Sequence, residues 1–262
     1  MQLKGTVAIV TGGNGGLGQR ICHALARAGS DVAVVYAQSQ DAAKSVAAEL
    51  RKAGVRAEAM GCDVTNPSQV QRMVARVVDT FGKVDLLVND AAYNKWIPFN
   101  DLDAMTYEEW QKILAVNLTG PMLCSKAVAP AMQKAGGGRI VNIASVAGKT
   151  GRAGMVAYCA TKAAVISMTQ GMAEELGPMN ITVNAICPGF INTAMFTEVI
   201  SPMLGALWNT TPDDAFDRFI RQSTYLRRDQ RPEDIAEAAV YLCRADNVTG
   251  ITLTVAGGAE VH

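Results

Sequence analysis

The sequence predicts a single α/β domain: a doubly wound sheet of about seven parallel strands with helices on both faces. Three observations predict it. Short Val/Ile-rich runs alternate with longer amphipathic ones along the 262 residues, the first apolar run stops at a glycine cluster, and no compositional linker or low-complexity tract divides the chain. Strands buried on both faces read as continuous apolar segments, and these do.

Thr6 to Val10 reads as a buried strand, Leu17 to Ala28 as a helix stopped by Gly29, and Val32 to Tyr36 as the second strand. Gln40 to Ala53 is helical and Gly54 ends it. Ala57 to Gly61 is the third strand, and Pro67 opens a helix to Phe81 at a position where its missing N–H costs nothing. Leu86 to Val88 is the fourth strand. Thr106 and Glu109 have capping-box spacing ahead of a helical stretch from about Tyr107 to Ala135, which Gly120-Pro121 should bend or break. Arg139 to Ile143 is the fifth strand, Val156 to Leu176 a helix and Thr182 to Ile186 the sixth strand. Asn192 to Arg231 is polar and irregular, with helical pieces such as Asp213 to Ile220, and its length marks it as the substrate lid. Pro232 to Leu242 is the last helix and Ile251 to Val255 the last strand.

Hydrophobic residues make up 49% and charged residues 18%, enough apolar material for a large core. Lys plus Arg and Asp plus Glu are both 24, so no charge excess points to nucleic acid or a membrane surface, and weak repulsion between copies permits a homo-oligomer. The six cysteines are dispersed without C-x-x-C spacing and read as reduced core thiols of a cytoplasmic protein. His23 and His262 are the only histidines, which disfavours a His-based metal site and a Ser-His-Asp triad; no metal is expected. Met1 to Gly5 lead directly into the first strand, unlike a signal peptide, and no run reaches the roughly 18 apolar residues that span a bilayer.

Val7 to Gly18 is strand, glycine turn and helix start in succession, an arrangement that brings a pyrophosphate against backbone N–H groups at the positive end of a helix. A P-loop is disfavoured because no Gly-Lys-Ser/Thr follows. Tyr158 and Lys162 are four apart in a helical run and share a face. An ammonium beside the phenol favours its ionisation, which suits Tyr158 to proton transfer with a carbonyl or alcohol oxygen. Ser145 closes the fifth strand at the edge where open sheets bind ligands, and Asn117 interrupts an otherwise apolar helical face.

These residues, in this order, resemble the classical short-chain dehydrogenase/reductase family over essentially the whole chain. Thr11-Gly12-Gly13-Asn14-Gly15-Gly16-Leu17-Gly18 is similar to the family's Thr-Gly-x-x-x-Gly-x-Gly turn, and Asp63 matches the acid that contacts adenine. Asn89-Asp90-Ala91-Ala92 stands in place of Asn-Asn-Ala-Gly, and Asn117, Ser145, Tyr158 with Lys162, and Pro188-Gly189 with Thr193 complete the set. The resemblance implies a Rossmann-type fold and catalysis by Asn117, Ser145, Tyr158 and Lys162, with Asn117 stabilising a local kink and placing a water beside Lys162. It further implies a dinucleotide held by Gly12, Asn14, Gly15, Gly16, Leu17, Gly18, Tyr36, Ala37, Gln38, Ser39, Cys62, Asp63, Val64, Asn89, Ala91, Ala92, Tyr158, Lys162, Pro188, Gly189, Ile191 and Thr193. A homotetramer, built partly from the helices carrying Asn117 and Tyr158, is implied as well.

Tyr36 matches the place where enzymes preferring NAD carry an acid, and Gln38 and Ser39 can donate to a 2′-phosphate, so NADP(H) is the preferred cofactor with NAD(H) second. Gly15 stands where many NADP-dependent relatives have arginine, and the first basic residue after the second strand is Lys44. Asp90 replaces an amide by a carboxylate that cannot donate when ionised, and Ala92 adds a methyl where glycine usually lines the cofactor site. Ala256 stands where the family often has aspartate. The expected substrate is a small hydrophobic ketone or secondary alcohol, met by apolar residues such as Trp96, Met155, Phe196, Met203, Leu204, Leu207 and Trp208; these serve equally well to pack the lid or to form an oligomer contact. The alternatives are a carrier-bound 3-oxoacyl group, for which only Arg227, Arg228 and Arg231 offer charge at the entrance, and a dinucleotide-binding regulatory protein without chemistry.

Overall fold

The computed structural model describes residues 1–98, 100–191, 196 and 200–260. Seven strands, β1 (Val7–Thr11), β2 (Asp31–Tyr36), β3 (Ala57–Gly61), β4 (Leu86–Asn89), β5 (Gly138–Ile143), β6 (Ile181–Pro188) and β7 (Thr252–Val255), form one sheet in the order β3-β2-β1-β4-β5-β6-β7. Every pairing is parallel. β1 is paired on both sides, and the chain reverses its direction of winding between β1 and β4, the place where open α/β sheets hold ligands beyond their carboxyl ends.

The helices divide between the two faces. α1 (Gly16–Arg27), α2 (Gln40–Lys52) and α9 (Pro232–Arg244) close one core around Val10, Val34, Leu25 and Ile235. α3 (Pro67–Phe81), α5 (Gly120–Lys134) and α6 (Val156–Leu176) close the other around Ile9, Val35, Met132 and Val183. α4 (Tyr107–Leu114) leads into α5, and α7 (Ser201–Trp208) with α8 (Pro212–Ser223) give the stretch after β6 more helix than its polar sequence suggests. All six thiols are buried and unpaired.

The expected break at Gly120-Pro121 does not occur. Residues Ala115–Thr119 widen into a π-helical turn, the Gly120 N–H reaches back to the Ala115 carbonyl, and Pro121 stands in the first turn of α5, directly after the widened turn. The result is a continuous rod, Tyr107–Lys134, of 28 residues, long and apolar enough to cross a membrane by length and composition alone; 44% of its most apolar window is buried in the domain.

A polar ladder crosses the second core. Asn89 Nδ2 donates to Asn142 Oδ1 at 2.8 Å and to Ser125 Oγ at 3.2 Å, and Asn142 Nδ2 donates to Thr169 Oγ1 at 2.9 Å, tying β4, β5, α5 and α6 together. All four residues are buried. Replacing Asn142 by Ala leaves the amide of Asn89 and the hydroxyl of Thr169 without this partner, and urea denaturation is expected to show a loss of about 2–4 kcal/mol.

Candidate active site

The glycine turn is shaped by two close approaches. Gly12 has φ +67°, and a Cβ there would lie 3.0 Å from the Ala91 Cα, so the turn presses on the segment after β4. A Cβ on Gly18 would collide with the Gly12 carbonyl oxygen and stand 2.9 Å from Asp90 Oδ2. Thr11 Oγ1 completes the joint by accepting from the N–H groups of Asp90 and Ala91 at 3.1 and 3.2 Å. No side chain caps α1, its N-cap is Gly15, and its first turn carries no acid, so the helix start is open to an anion. The space beyond a Gly16 Cβ is empty. The cradle therefore fits a dinucleotide diphosphate.

The adenosine side is less uniform than the sequence suggests. Tyr36 packs at the end of β2 against Gly61, and Asn14 Nδ2 donates to the carbonyls of Gln38 and Ser39 at 3.1 and 3.5 Å, bracing the β2–α2 connection. Ala37, Gln38 and Ser39 are exposed. Asp63 Oδ1 accepts from the Thr65 N–H and hydroxyl, while Cys62 and Val64 are buried, Val64 against Gly120. The Asn89 side chain turns inward, its Nδ2 entering the ladder in the core. Leu17 is half-buried in α1; Pro188 ends β6, Gly189 follows it, and Ile191 bridges to Gln230. Thr193 lies outside the described residues, as does His262.

At the ends of β5 and α6 three predicted side chains converge. Lys162 is buried and its Nζ donates to the Ile143 carbonyl at 2.7 Å, lying 5.4 Å from the Tyr158 ring centroid. Tyr158 hydrogen-bonds Ser145 through the two side chains, and Ser145 Oγ also accepts from the Ala147 N–H at 3.1 Å. Gly148 lets this loop press on α6: a Cβ there would meet the Lys162 carbonyl carbon at 2.6 Å. The sequence reading passed over Gly148.

Burial governs the charges. It pushes the Tyr158 phenol up to about 12, with the Ser145 hydrogen bond pulling the other way, and it brings Lys162 down to about 8 against the opposing pull of Asp90. Without a ligand the phenol therefore rests protonated: desolvation outweighs the Ser145 hydrogen bond, and the Lys162 ammonium is bonded to Ile143. Asp90 is pushed up to about 7 by burial, with Lys162 drawing it down.

Asn117 sits in the π turn, buried, and both ends of its amide are taken: Oδ1 accepts from the Tyr93 N–H at 2.7 Å, and Nδ2 donates to the Tyr93 carbonyl at 2.9 Å and to Thr161 Oγ1 at 3.3 Å. Its visible work is to clip the segment after β4 to the rod and to α6. Only a side chain with a donor and an acceptor on one plane makes this pair of bonds. Ala91 is half-buried and Ala92 exposed on that segment. Beyond β6, Phe190, Phe196, Phe216 and Phe219 pack together with centroids 4.7 to 6.1 Å apart, edge to face except for the tilted Phe196–Phe219 pair, and anchor α8 to the sheet edge. Leu207 points outward, whereas Leu204 and Phe196 are buried.

Comparison with known proteins bears on the family and the fold. Residues 6–203 match the short chain dehydrogenase family. The chain is 39% identical over 259 residues to a 3-oxoacyl-[acyl-carrier-protein] reductase of Synechocystis, covering 98% of this chain and 97% of that one. It is 38% identical over 253 residues to a 3-oxoacyl-[acyl-carrier-protein] reductase of Staphylococcus epidermidis, covering 96% and 97%. Among solved structures, a 7α-hydroxysteroid dehydrogenase complexed with NADH and a 7-oxo bile acid superposes with a TM-score of 0.88 at 35% identity, over 98% of this chain and 95% of that one.

The turn makes a direct prediction. Gly18→Ala is expected to lower stability by about 1–3 kcal/mol and to displace the turn, whereas Gly16→Ala leaves the melting temperature nearly unchanged. Thermal denaturation of the two variants side by side checks it.

Proposed function

The chain belongs to the short-chain dehydrogenase family and is an NAD(P)-dependent oxidoreductase, and on that premise we propose that it reduces the ketone of a 3-oxoacyl thioester to the secondary alcohol. The observation that carries the chemistry is the convergence of Ser145, Tyr158 and Lys162 at one sheet edge beside an open helix start. The bound dinucleotide supplies the hydride. Tyr158, protonated at neutral pH, gives its hydroxyl proton to the carbonyl oxygen, which Ser145 holds by hydrogen bonding. Lys162 would stabilise the phenolate that results and, through the donor capacity that Ile143 leaves free, would hold the ribose hydroxyls of the dinucleotide. Asn117 keeps the wall formed by the segment after β4 in register, and a water beside Lys162 returns the proton from solvent.

Sequence alone ranks the carrier-bound substrate second for want of basic residues; the named activity of the Synechocystis and Staphylococcus relatives reverses that order. Arg227 and Arg228 are exposed and offer charge to an acidic carrier, while Arg231 pairs with Asp234 at 3.4 Å. A free hydrophobic ketone or alcohol is the second reading, favoured by the phenylalanine cluster beyond β6. We assign the stretch 192–231, of which 192–195 and 197–199 lie outside the described residues, as the lid over either substrate. For the cofactor, NADP(H) is favoured by the absence of a carboxylate at the end of β2 and by Lys44, which lines a cleft with Tyr36 and Gln40.

Turnover of a 3-oxoacyl thioester with NADPH should exceed that of a matched simple ketone, and Tyr158→Phe should lower kcat by about 10²–10⁴-fold while leaving NADPH affinity within about twofold. Faster turnover of the simple ketone would favour the second reading. NADPH is expected to bind tighter than NADH, by about tenfold, and equilibrium titration of both checks the assignment at β2.

A further inference from the structure

Asp90 occupies a place where the family's motif has an amide, and the structure shows what the substitution brings together. Its backbone N–H is held by Thr11 Oγ1, and its Oδ2 lies against Gly18, in the first turn of α1. That helix start is the cradle for the dinucleotide diphosphate. The charged and titratable groups around Asp90 come from two elements: the Cys22 thiol on α1, and the Lys162 ammonium and Tyr158 hydroxyl on α6. β1 contributes the Thr11 hydroxyl, and the turn after it the Gly12 carbonyl. His23, one residue beyond Cys22, makes its contact elsewhere, with Glu49 on α2 at 3.2 Å.

An ionised Asp90 and a bound diphosphate therefore draw on the same positive helix end. An amide at this position would carry no such conflict. We propose that Asp90 sets dinucleotide affinity through its charge: the diphosphate and the Asp90 carboxylate exclude one another, so the protein takes up a proton at Asp90 when the dinucleotide binds. The inference rests on the dinucleotide reading of the glycine turn. Its balance is simple, since one proton from solvent neutralises one carboxylate and no other bond changes. Burial already holds this carboxyl up at about 7, so the exchange falls at physiological pH. The Cys22 and Tyr158 groups titrate far above that range, and Lys162, at about 8, is still mostly an ammonium at about pH 7.

The sign follows from linkage. Binding raises the Asp90 pKa further, so affinity is highest where Asp90 is already protonated and falls as pH rises through its free value. The test is calorimetric titration of NADPH, and of ADP-ribose as a probe with the diphosphate but no nicotinamide, into wild type and Asp90→Asn, in buffers of different ionisation enthalpy at about pH 7. Wild type should take up a fraction of a proton with both ligands, and its Kd should weaken by about three- to tenfold from about pH 6 to pH 8. Asp90→Asn should show markedly less uptake and bind tighter than wild type at about pH 8. Equal proton uptake and parallel pH profiles in the two proteins would overturn the proposal. Should Asp90→Asn fail to fold, the wild-type experiment still decides, because zero uptake overturns the proposal and uptake with both ligands supports it. Absence of any binding of either ligand to wild type would instead bring down the dinucleotide reading, and this inference with it.

Discussion

The hydrogen bond from the buried Lys162 ammonium to the Ile143 carbonyl is the constraint on which the site depends. Ile143 and Ser145 are two residues apart at the end of β5, and Tyr158 and Lys162 are one helical turn apart on α6. Clamping Lys162 to Ile143 therefore sets Tyr158 beside Ser145 without any further adjustable element. Gly148 makes the clamp feasible by letting the intervening loop lie on the α6 backbone, and the ladder from Asn89 through Asn142 to Thr169 fixes the same two elements one layer deeper. The cost is an ammonium held out of water, and its depressed pKa is the measure of that cost.

The same burial sets the resting proton form of Tyr158. With the phenol pushed up by desolvation it rests as an acid, the form that the proposed ketone reduction would use. Its conversion to a phenolate then depends on the ammonium and on polar groups brought by the cofactor ribose, so the acid form is the resting one. Asp90 works against that conversion, because a carboxylate nearby raises the phenol as well as the lysine. The substitution of a carboxylate for the family's amide thus reaches both the phosphate end and the proton-transfer end of the site.

Much of this was legible in the sequence, and the remainder was hidden for identifiable reasons. Strand and helix positions followed from apolar periodicity, and the edge residues Ser145, Tyr158 and Lys162 from motif order, because parallel sheets impose continuous runs and fixed edges. The unbroken rod at Gly120-Pro121 was not legible: a proline reads as a breaker unless the preceding turn is known to be π-helical, and that widening is settled by the Asn117 bonds to Tyr93 and Thr161, which are distant in sequence. The inward turn of Asn89 was hidden likewise, since its partners Asn142 and Ser125 lie on other elements. The helix α8 was legible as the helical piece Asp213 to Ile220, and its phenylalanine contacts hold it at the sheet edge, whereas the short apolar α7 was lost in a stretch that reads as polar and irregular overall. Gly148 carries no local signal at all, because the α6 backbone it accommodates is remote in the chain.

The central claim is that the edge formed by Ser145, Tyr158 and Lys162 is where hydride and proton meet a ketone. It is tested most directly by incubating the protein with a 3-oxoacyl thioester and NADPH deuterated on one face of nicotinamide C4, each face in turn, and examining the product by mass spectrometry. The account predicts a 3-hydroxyacyl product carrying one deuterium on the former carbonyl carbon with one of the two labelled cofactors and none with the other. Product without label from either cofactor, or no consumption of dinucleotide with any ketone supplied, would contradict it.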